Sequence, residues 1–345
     1  MSHDGARWGV VLAGGSGRRL SSLTADATGT VIPKQFCSVF EGPSLLTTTI
    51  RRMRAVVDLS RILVVVAAAH RRWWEPELAD IPPENVLVQP CDRGTACGVL
   101  LPLTSVLYRD PDARVVVAPS DHYVRDEATL RASLLEAVAH VDDRPHELVL
   151  LGMEPDRPDT EYGWITPSND LTGAVRVVTS FVEKPDERRA HQLMLSGALW
   201  SSFTFVATGE TLIDHFRRTL PWLVDRFSSA LEFVSWDRHH HVLLRLYDHL
   251  PTVDFSRRVL QLLNKRLHVL AVPRCGWTDL GTPQRLLECI SDGAPCAAAD
   301  DRCTIREQDE LADHHRQSDR RQRPAALDLA RAASRAIASD LHNPG

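Results

Sequence analysis

Short apolar runs, each followed by a segment long enough for a helix, limit most strongly how this chain can fold. The runs are rich in Val, Leu or Ile on both faces, as in strands that helices cover on both sides of a parallel sheet. Segments 45–57 and 129–141 lie between runs and carry apolar residues at helical spacing. This alternation predicts an α/β fold with a Rossmann-like, mixed but mostly parallel sheet flanked by helices. The runs are residues 8–12, 61–66, 85–88, 114–118 and 147–151.

The pattern changes after about residue 152. Further strands are predicted at 162–165, 175–182, 199–207 and 267–272, and further helices at 211–234 and 253–264. From about Ser291 the chain is rich in Ala, Asp, Arg and His and has few large apolar side chains. We therefore expect one domain over residues 1–290 and a polar, partly disordered tail over 291–345, with one weak amphipathic helix at 325–341.

Composition and charge exclude several classes of protein. The chain has 345 residues, and its 40 Lys and Arg against 45 Asp and Glu leave a formal net charge of −5. A surface built to hold nucleic acid needs a basic excess, so no nucleic-acid partner is expected. No apolar run approaches the ~20 residues that span a bilayer, so no membrane partner is expected. The 7 cysteines are scattered and no export signal is visible, which predicts reduced thiols and a cytoplasmic location.

A glycine-rich loop directly follows the first predicted strand. Its glycines permit positive φ and close approach of a ligand, and its backbone N–H groups can cradle a phosphate chain. Two arginines at its end add positive charge. The loop lacks the third glycine of the dinucleotide-binding pattern and the Gly-Lys-Ser/Thr of a P-loop, and a lone loop of this kind is as often an ordinary tight turn. Its residues are Leu12, Ala13, Gly14, Gly15, Ser16, Gly17, Arg18 and Arg19.

Seven further segments follow the loop in order. They are P-K-Q-F from Pro33, Q-P-C-D-R-G-T-A from Gln89, P-S-D-H from Pro119, T-E-Y-G-W-I from Thr160, V-E-K-P from Val182, L-W-S-S-F from Leu199 and G-W-T-D-L-G from Gly276. Together with the loop, they resemble the motifs of sugar-1-phosphate nucleotidylyltransferases, most closely the mannose-1-phosphate guanylyltransferase branch. The resemblance spans about residues 8–290. It implies a nucleotide-binding half over about 8–150 and a sugar-binding half over 151–290.

The resemblance also implies a reaction. In this family a sugar phosphate oxygen attacks the α-phosphorus of a nucleoside triphosphate (NTP), and pyrophosphate leaves. An NTP and a sugar 1-phosphate are therefore the expected partners, with Arg19 and Lys34 as catalytic residues and Asp121 and Asp279 as ligands of Mg²⁺. The chemistry agrees, because such a transfer depends on alignment and charge neutralisation, and paired carboxylates suit Mg²⁺.

The remaining implied contacts are with the substrates. The loop residues from Leu12 to Arg18 would bind the triphosphate. The residues that match the family's base-reading segment are Gln89, Arg93, Gly94 and Thr95. The residues expected to bind the sugar phosphate are Gly163, Glu183, Lys184 and Ser201.

Departures from the family pattern leave the substrates open. Ser201 stands where the family has an asparagine, and its shorter hydroxyl cannot span the same distance without water or a shifted sugar. The base-reading segment here is Q-P-x-x-R-G-T-A, whereas many guanylyltransferases carry E-P-x-x-R-N-T-A. GTP and mannose 1-phosphate are the preferred substrates. Thymidylyl, uridylyl or cytidylyl transfer to another sugar 1-phosphate and a non-catalytic, nucleotide-sugar-binding regulatory homologue are the alternatives, and a homo-oligomer is compatible with each.

Overall fold

All the apolar runs predicted as strands lie in one sheet. The computed structural model of the chain describes residues 6–17, 20–21, 23–25, 28–40, 42–170, 172–231, 240–293, 327–329 and 332. The strands in these ranges are β1 (Arg7–Ala13), β2 (Cys37–Ser38), β3 (Ile62–Ala67), β4 (Val86–Gln89), β5 (Arg114–Pro119), β6 (Leu148–Met153), β7 (Gly163–Pro167), β8 (Val175–Glu183), β9 (Leu199–Thr208), β10 (Leu267–Val272) and β11 (Leu327–Asp328).

Helices fill most of the connections between strands. They are α1 (Leu45–Arg54), α2 (Arg71–Glu77), α3 (Thr95–Arg109), α4 (Glu127–Asp143), α5 (Glu187–Leu195), α6 (Gly209–Thr219), α7 (Pro221–Leu231), α8 (His240–Asp248), α9 (Gln261–Leu263) and α10 (Pro283–Gly293). A single 3₁₀ turn, Lys34–Phe36, precedes β2, and a π-helix, Ser256–Leu260, leads into α9.

The strand order puts a crevice beside β1. Across the main sheet the order is β4-β3-β1-β5-β9-β6-β10-β8-β7, and only β8 and β9 run against the others. This confirms the mixed, mostly parallel sheet. The chain passes from β1 to β3 and β4 on one side and then to β5 on the other. Ligands of open α/β sheets bind at the carboxyl ends of strands beside such a switch, and here the glycine-rich loop follows β1 there.

Alternate residues of the central strands face opposite layers of helices. One face packs mainly under α3, α6 and α7, and the other under α1, α2 and α4, which gives three layers. Period-two alternation in strands buried on both sides produces this arrangement. The first face carries Val10, Leu63, Val65, Val115 and Val117, and the second carries Val11, Val64, Val66, Val116 and Ala118.

The helical segment predicted at 211–234 is two helices. The first, α6, ends at Thr219, and α7 begins at Pro221. Proline has no N–H to donate and is favoured at the first helical position, so it ends one helix and starts the next. Residues 232–234 of that prediction lie outside the described residues. The segment predicted at 253–264 is helical only from Phe255 or Ser256 onward.

A small third core lies next to the crevice. It joins Leu20, just beyond the glycine-rich loop, to Cys37 in β2, to Leu280 and to Leu329. Leu329 is fully buried, and β11, which precedes it, pairs in parallel with β2. The helix predicted at 325–341 is wrong at residues 327–328, which pair with β2 as a strand. Most of the expected tail lies outside the described residues, so its partial disorder stays a prediction. No helix in the described ranges is long and apolar enough to cross a membrane.

Candidate active site

Lys34 lies at the centre of the site. It stands in the 3₁₀ turn and is only 5% exposed. Its Nζ lies 3.0 Å from Asp121 Oδ2 and donates to the backbone carbonyl of Asp279. An ammonium group withdrawn from water is stable only with such partners. This contact brings three residues singled out in the sequence, one of them 245 positions away, to one place.

The glycine-rich loop closes over the Lys34 turn. Gly17 has φ +61°, and an ideal Cβ on it would lie 2.8 Å from the backbone N of Lys34. Gln35 is 2% exposed, and its Nε2 donates to the carbonyls of Ala13 at 2.9 Å and Gly15 at 2.8 Å. A Cβ on Gly15 would meet nothing within 4 Å. The loop is therefore anchored to the 3₁₀ turn by Gln35. At Gly15 it has open space, where a phosphate chain could approach the backbone N–H groups.

The Asp279 carboxylate is held by a polar network. Its Oδ1 accepts from the Tyr162 hydroxyl at 3.0 Å, from Arg285 Nη1 at 2.7 Å and from a backbone N–H of its own loop at 2.8 Å. Arg285 also pairs with Asp159 at 2.6 Å. Burial acts to raise the pKa of Asp279, but Lys34 and Arg285 outweigh it, and the pKa lies below its ordinary value. The group is thus an oriented carboxylate.

Asp121 remains partly exposed beside Lys34. Burial acts to raise the pKa of its carboxyl, but the Lys34 ammonium outweighs that effect and the pKa is lowered. The neighbouring His122 accepts at Nδ1 from Trp277 Nε1 at 3.2 Å, and burial lowers the pKa of its imidazole to about 4. At neutral pH, Asp121 is therefore an anion and His122 is uncharged.

Gln89 ends β4 against the glycine-rich loop. Its Nε2 donates to the Tyr247 hydroxyl at 2.8 Å. An ideal Cβ on Gly14 would lie 2.8 Å from Gln89 Oε1, so any larger residue at position 14 would displace this amide. The first residue of the expected base-reading segment and the expected phosphate loop are thus in contact.

The rest of that segment forms the turn into α3. Arg93 Nε donates to the Tyr247 carbonyl at 2.7 Å, and Thr95 Oγ1 accepts from the backbone N of Phe255 at 2.8 Å. Gly94 has φ +81°, and a Cβ on it would lie 2.4 Å from the Val253 carbonyl oxygen. The Arg93 and Thr95 side chains thus bind backbone atoms within residues 247–255. The sequence does not predict these contacts.

Three of the residues expected on the sugar side converge. Gly163 pairs with Glu183 across β7 and β8, and an ideal Cβ on Gly163 would lie 2.7 Å from Glu183 Oε2 and 3.3 Å from Ser201 Cβ. Burial, with a further contribution from Asp254, raises the pKa of Glu183 to about 7. Tyr162, the neighbour of Gly163, links this group to Asp279. The Lys184 ammonium is more exposed, 3.9 Å from a carboxylate oxygen of Glu161.

Left-handed backbone conformations flank the expected site residues. Within the described ranges, four residues other than glycine have positive φ, and three of them stand one or two positions after Glu183, Ser201 and Asp279. Such conformations are costly for residues with a Cβ and concentrate at functional sites. The three residues are Lys184 at +49°, Phe203 at +57° and Leu280 at +47°.

The family described as nucleotidyl transferase matches residues 8–294. The chain belongs to the nucleotidyl transferase family. Among curated relatives, the alginate biosynthesis protein AlgA of Pseudomonas syringae pv. tomato is 31% identical over 81% of this chain and 57% of its own length. The mannose-1-phosphate guanylyltransferase of Escherichia coli is 27% identical over 81% of this chain and 59% of its own length. The chain therefore spans less than two thirds of either relative.

A solved structure shares the fold of this nucleotidyl transferase family member. The Thermus thermophilus protein described as mannose-1-phosphate geranyltransferase superposes with a TM-score of 0.72 at 30% identity. The match covers 83% of this chain and 79% of that chain. It agrees with the nucleotide-diphospho-sugar transferase type of fold expected from the motifs.

The two carboxylates of this nucleotidyl transferase chain fit a cation shared with substrate. No group of three or more His, Cys, Asp or Glu in the part of the chain that the structure describes could hold a metal ion. Mg²⁺, however, commonly takes only one or two carboxylates and completes its octahedron with phosphate oxygens and waters. Asp121, whose carboxylate pairs with Lys34, and Asp279, whose carbonyl accepts from Lys34 and whose Oδ1 is oriented by Arg285, are carboxylates of the kind that such an arrangement uses.

Several residues of the site were not singled out from the sequence. Gln35 and Tyr162 lie inside the quoted motifs, so the sequence marks their positions but does not indicate the hydrogen bonds that they make. Arg285 and Tyr247 lie in helices without a motif, and only the fold brings them to the site. Arg18 and Arg19, expected at the triphosphate, lie outside the described residues.

Proposed function

We propose that this chain transfers the nucleotidyl group of an NTP to a sugar 1-phosphate and releases pyrophosphate. The observation that carries the proposal is the convergence of Lys34 on the Asp121 carboxylate and the Asp279 carbonyl beneath the glycine-rich loop. Lys34 places a positive charge next to an open phosphate loop, and in-line attack on a phosphorus atom depends on such charge neutralisation and on alignment.

In this reaction a sugar phosphate oxygen forms a bond to the α-phosphorus, and the bond from that phosphorus to the bridging oxygen of pyrophosphate breaks. Lys34 neutralises negative charge on the α-phosphate and on the attacking phosphate. The glycine-rich loop, with Arg19, binds the triphosphate, and Lys184 binds the sugar phosphate. Asp121 and Asp279 would hold Mg²⁺, which neutralises phosphate charge and aligns the leaving group.

We take GTP and mannose 1-phosphate as the substrates. The names of the Escherichia coli and Thermus thermophilus relatives mention mannose 1-phosphate, and that of the former also mentions guanylyl transfer. Glu183 and Ser201, beside Gly163, offer oxygen atoms to sugar hydroxyls. The serine at 201 leaves room for a sugar other than mannose.

A substrate panel tests the proposal. Purified protein with Mg²⁺, each NTP and each of several hexose 1-phosphates should release pyrophosphate, fastest with GTP and mannose 1-phosphate. Release with another pair alone would change the substrates and keep the reaction. No release with any pair, together with binding of nucleotide sugars, would favour the regulatory homologue.

Lysine substitution tests the site. Lys34→Ala should lower kcat by about 10²–10³, because a preorganised charge at the reacting phosphorus is lost. The exposed Lys265→Ala is the matched control and should retain full activity. Asp121→Ala should likewise lower kcat strongly, because an expected ligand of Mg²⁺ is lost. Near-normal kcat in either site variant, with a circular dichroism spectrum like that of the unaltered chain, would contradict the assignment.

A further inference from the structure

Tyr247 contacts two of the residues expected to read the base. It stands near the end of α8, is fully buried, and packs edge-on against Phe227 with ring centroids 6.2 Å apart. Its hydroxyl accepts from Gln89 Nε2 at 2.8 Å, and its backbone carbonyl accepts from Arg93 Nε at 2.7 Å. One residue of α8 thus orients side chains from both ends of the Gln89–Arg93 turn.

The nitrogen of the Gln89 amide makes the contact with Tyr247. With Nε2 donating to the hydroxyl, Oε1 is left beside Gly14, where an ideal Cβ would lie only 2.8 Å away. No hydrogen bond from a group in the described ranges reaches that oxygen. Gln89 therefore presents a free acceptor at the glycine-rich loop. Its position there depends on a partner in a distant helix.

We propose that Tyr247 is a positioning residue that sets base selectivity through Gln89. The proposal rests on the proposed function, because it deepens the role of the same cleft. An acceptor oxygen at the glycine-rich loop favours a base with N–H groups on its pairing edge, and guanine offers N1–H and N2–H together. Adenine has an acceptor at N1 and no donor at C2. The arrangement thus selects GTP over ATP.

Loss of the hydroxyl would remove this selection. Without its acceptor, the buried amide N–H group is unsatisfied, which is unfavourable. The amide then gains by turning its N–H group toward the glycine-rich loop, where it would meet the N–H groups of guanine. Discrimination between the two purines falls, while contacts to the sugar phosphate, made by residues of other strands, are unchanged.

The test compares Tyr247→Phe with the unaltered chain. The ratio of kcat/KM for GTP to that for ATP should fall about 10-fold, equivalent to ~1.4 kcal/mol, and KM for mannose 1-phosphate should not change. Tyr108→Phe is the matched control, since Tyr108 is 76% exposed at the end of α3, and it should leave the ratio unchanged. An unchanged ratio in Tyr247→Phe, or an unaltered chain that does not prefer GTP to ATP, overturns the proposal.

A double-mutant cycle separates positioning from general destabilisation. In a Gln89→Ala background, Tyr247→Phe should have no further effect on the GTP to ATP ratio, because the hydroxyl acts through the amide. An equal additional loss in that background would overturn the proposal. If Tyr247→Phe fails to fold, Gln89→Ala alone must still lower the ratio by a similar factor.

Nucleotide binding without turnover distinguishes the two proposals. Calorimetric Kd values for GTP and ATP, measured with Mg²⁺ and no sugar phosphate, report base selection alone. Absence of pyrophosphate release with a Kd ratio that Tyr247→Phe reduces would reject the proposed function and keep this inference. Normal pyrophosphate release, together with a Kd ratio that Tyr247→Phe leaves unchanged, would keep the proposed function and reject this inference.

Discussion

Each buried cation at the site has at least one acidic partner from a distant part of the chain. Lys34 faces Asp121, and Arg285 joins Asp159 to Asp279. Removal of one member of such a pair leaves the other charge buried without compensation, which destabilises more than the intact pair stabilises. Activity measurements on variants of these residues therefore need a stability measurement beside them.

Glu183 should make sugar binding depend on pH. Its folded-state pKa is raised from 4.5 to about 7, so the carboxyl is protonated below that value and ionised above it. An ionised carboxylate accepts from two sugar hydroxyls where the protonated form gives up one acceptor position. KM for the sugar 1-phosphate should therefore fall by about 5-fold as the pH rises from 6 to 8.

Glu183→Gln separates this effect from titration of the substrate phosphates. It should remove most of the change in KM between pH 6 and 8, whereas the exposed Glu187→Gln should keep it. Rising pH has the opposite effect on stability from its effect on sugar binding. Because the folded pKa is raised, the stabilisation from protonated Glu183 is complete below pH 4.5 and is lost as the pH rises through about 7. A pH profile of KM that Glu183→Gln leaves unchanged would contradict this role.

At the scale of elements, strands were easier to predict than helices. The central strands are buried on both faces, so runs such as the one in β3 are apolar throughout and stand out in the sequence. The helix at α3 begins at Thr95, inside a segment already assigned to base recognition, and was not predicted as a helix. The π-helix at Ser256–Leu260 has no sequence signature, because its geometry depends on its neighbours.

The contacts of the candidate site were predictable only in part. Lys34, Asp121 and Asp279 could be chosen because motifs mark them, and the structure brings them together. The network around Arg285 could not, because two of its partners, Asp159 and Tyr162, lie in a distant segment that only the folded sheet brings beside Asp279 and Arg285. The motifs therefore identify residues of the site, whereas the contacts that each residue makes follow only from the folded structure.

The turn into α3 should tolerate no side chain at Gly94. Gly94→Ala combines positive φ with a Cβ 2.4 Å from the Val253 carbonyl oxygen, and should lower the free energy of unfolding by about 2–4 kcal/mol. Gly29→Ala is the matched control, since Gly29 has φ +78° and no atom within 4 Å of the Cβ position. It should cost only about 1–2 kcal/mol of conformational strain. Urea unfolding of both variants measures the difference, and equal losses would show that the close contact is absent.

At the scale of the whole molecule, three cores hold together the part of the chain that the structure describes. Two lie on opposite faces of the sheet, and the third joins the segments around the glycine-rich loop, β2 and Leu280. Leu329 completes the third core although it lies beyond residue 294, where the family match ends. The tail region is therefore not uniformly polar surface.

Leu329→Ala should loosen this third core. Truncation of a fully buried leucine should lower the free energy of unfolding by about 2–4 kcal/mol. Hydrogen exchange at the amides of β2, which pairs with β11, should accelerate. Leu262→Ala, at a side chain 60% exposed, should change neither quantity. Unaltered exchange in β2 would mean that Leu329 contributes nothing to this region.

The contact between Lys34 and the Asp279 carbonyl joins positions 245 residues apart. During synthesis, β1, β3, β4 and β5 can emerge from the ribosome and pair while the second acidic segment is still untranslated. A nascent chain at that stage contains the lysine, the first carboxylate and the glycine-rich loop, yet its lysine lacks one of its two partners. Strand pairing can thus begin early in translation, but the reacting centre is assembled only when nearly the whole matched region has been made.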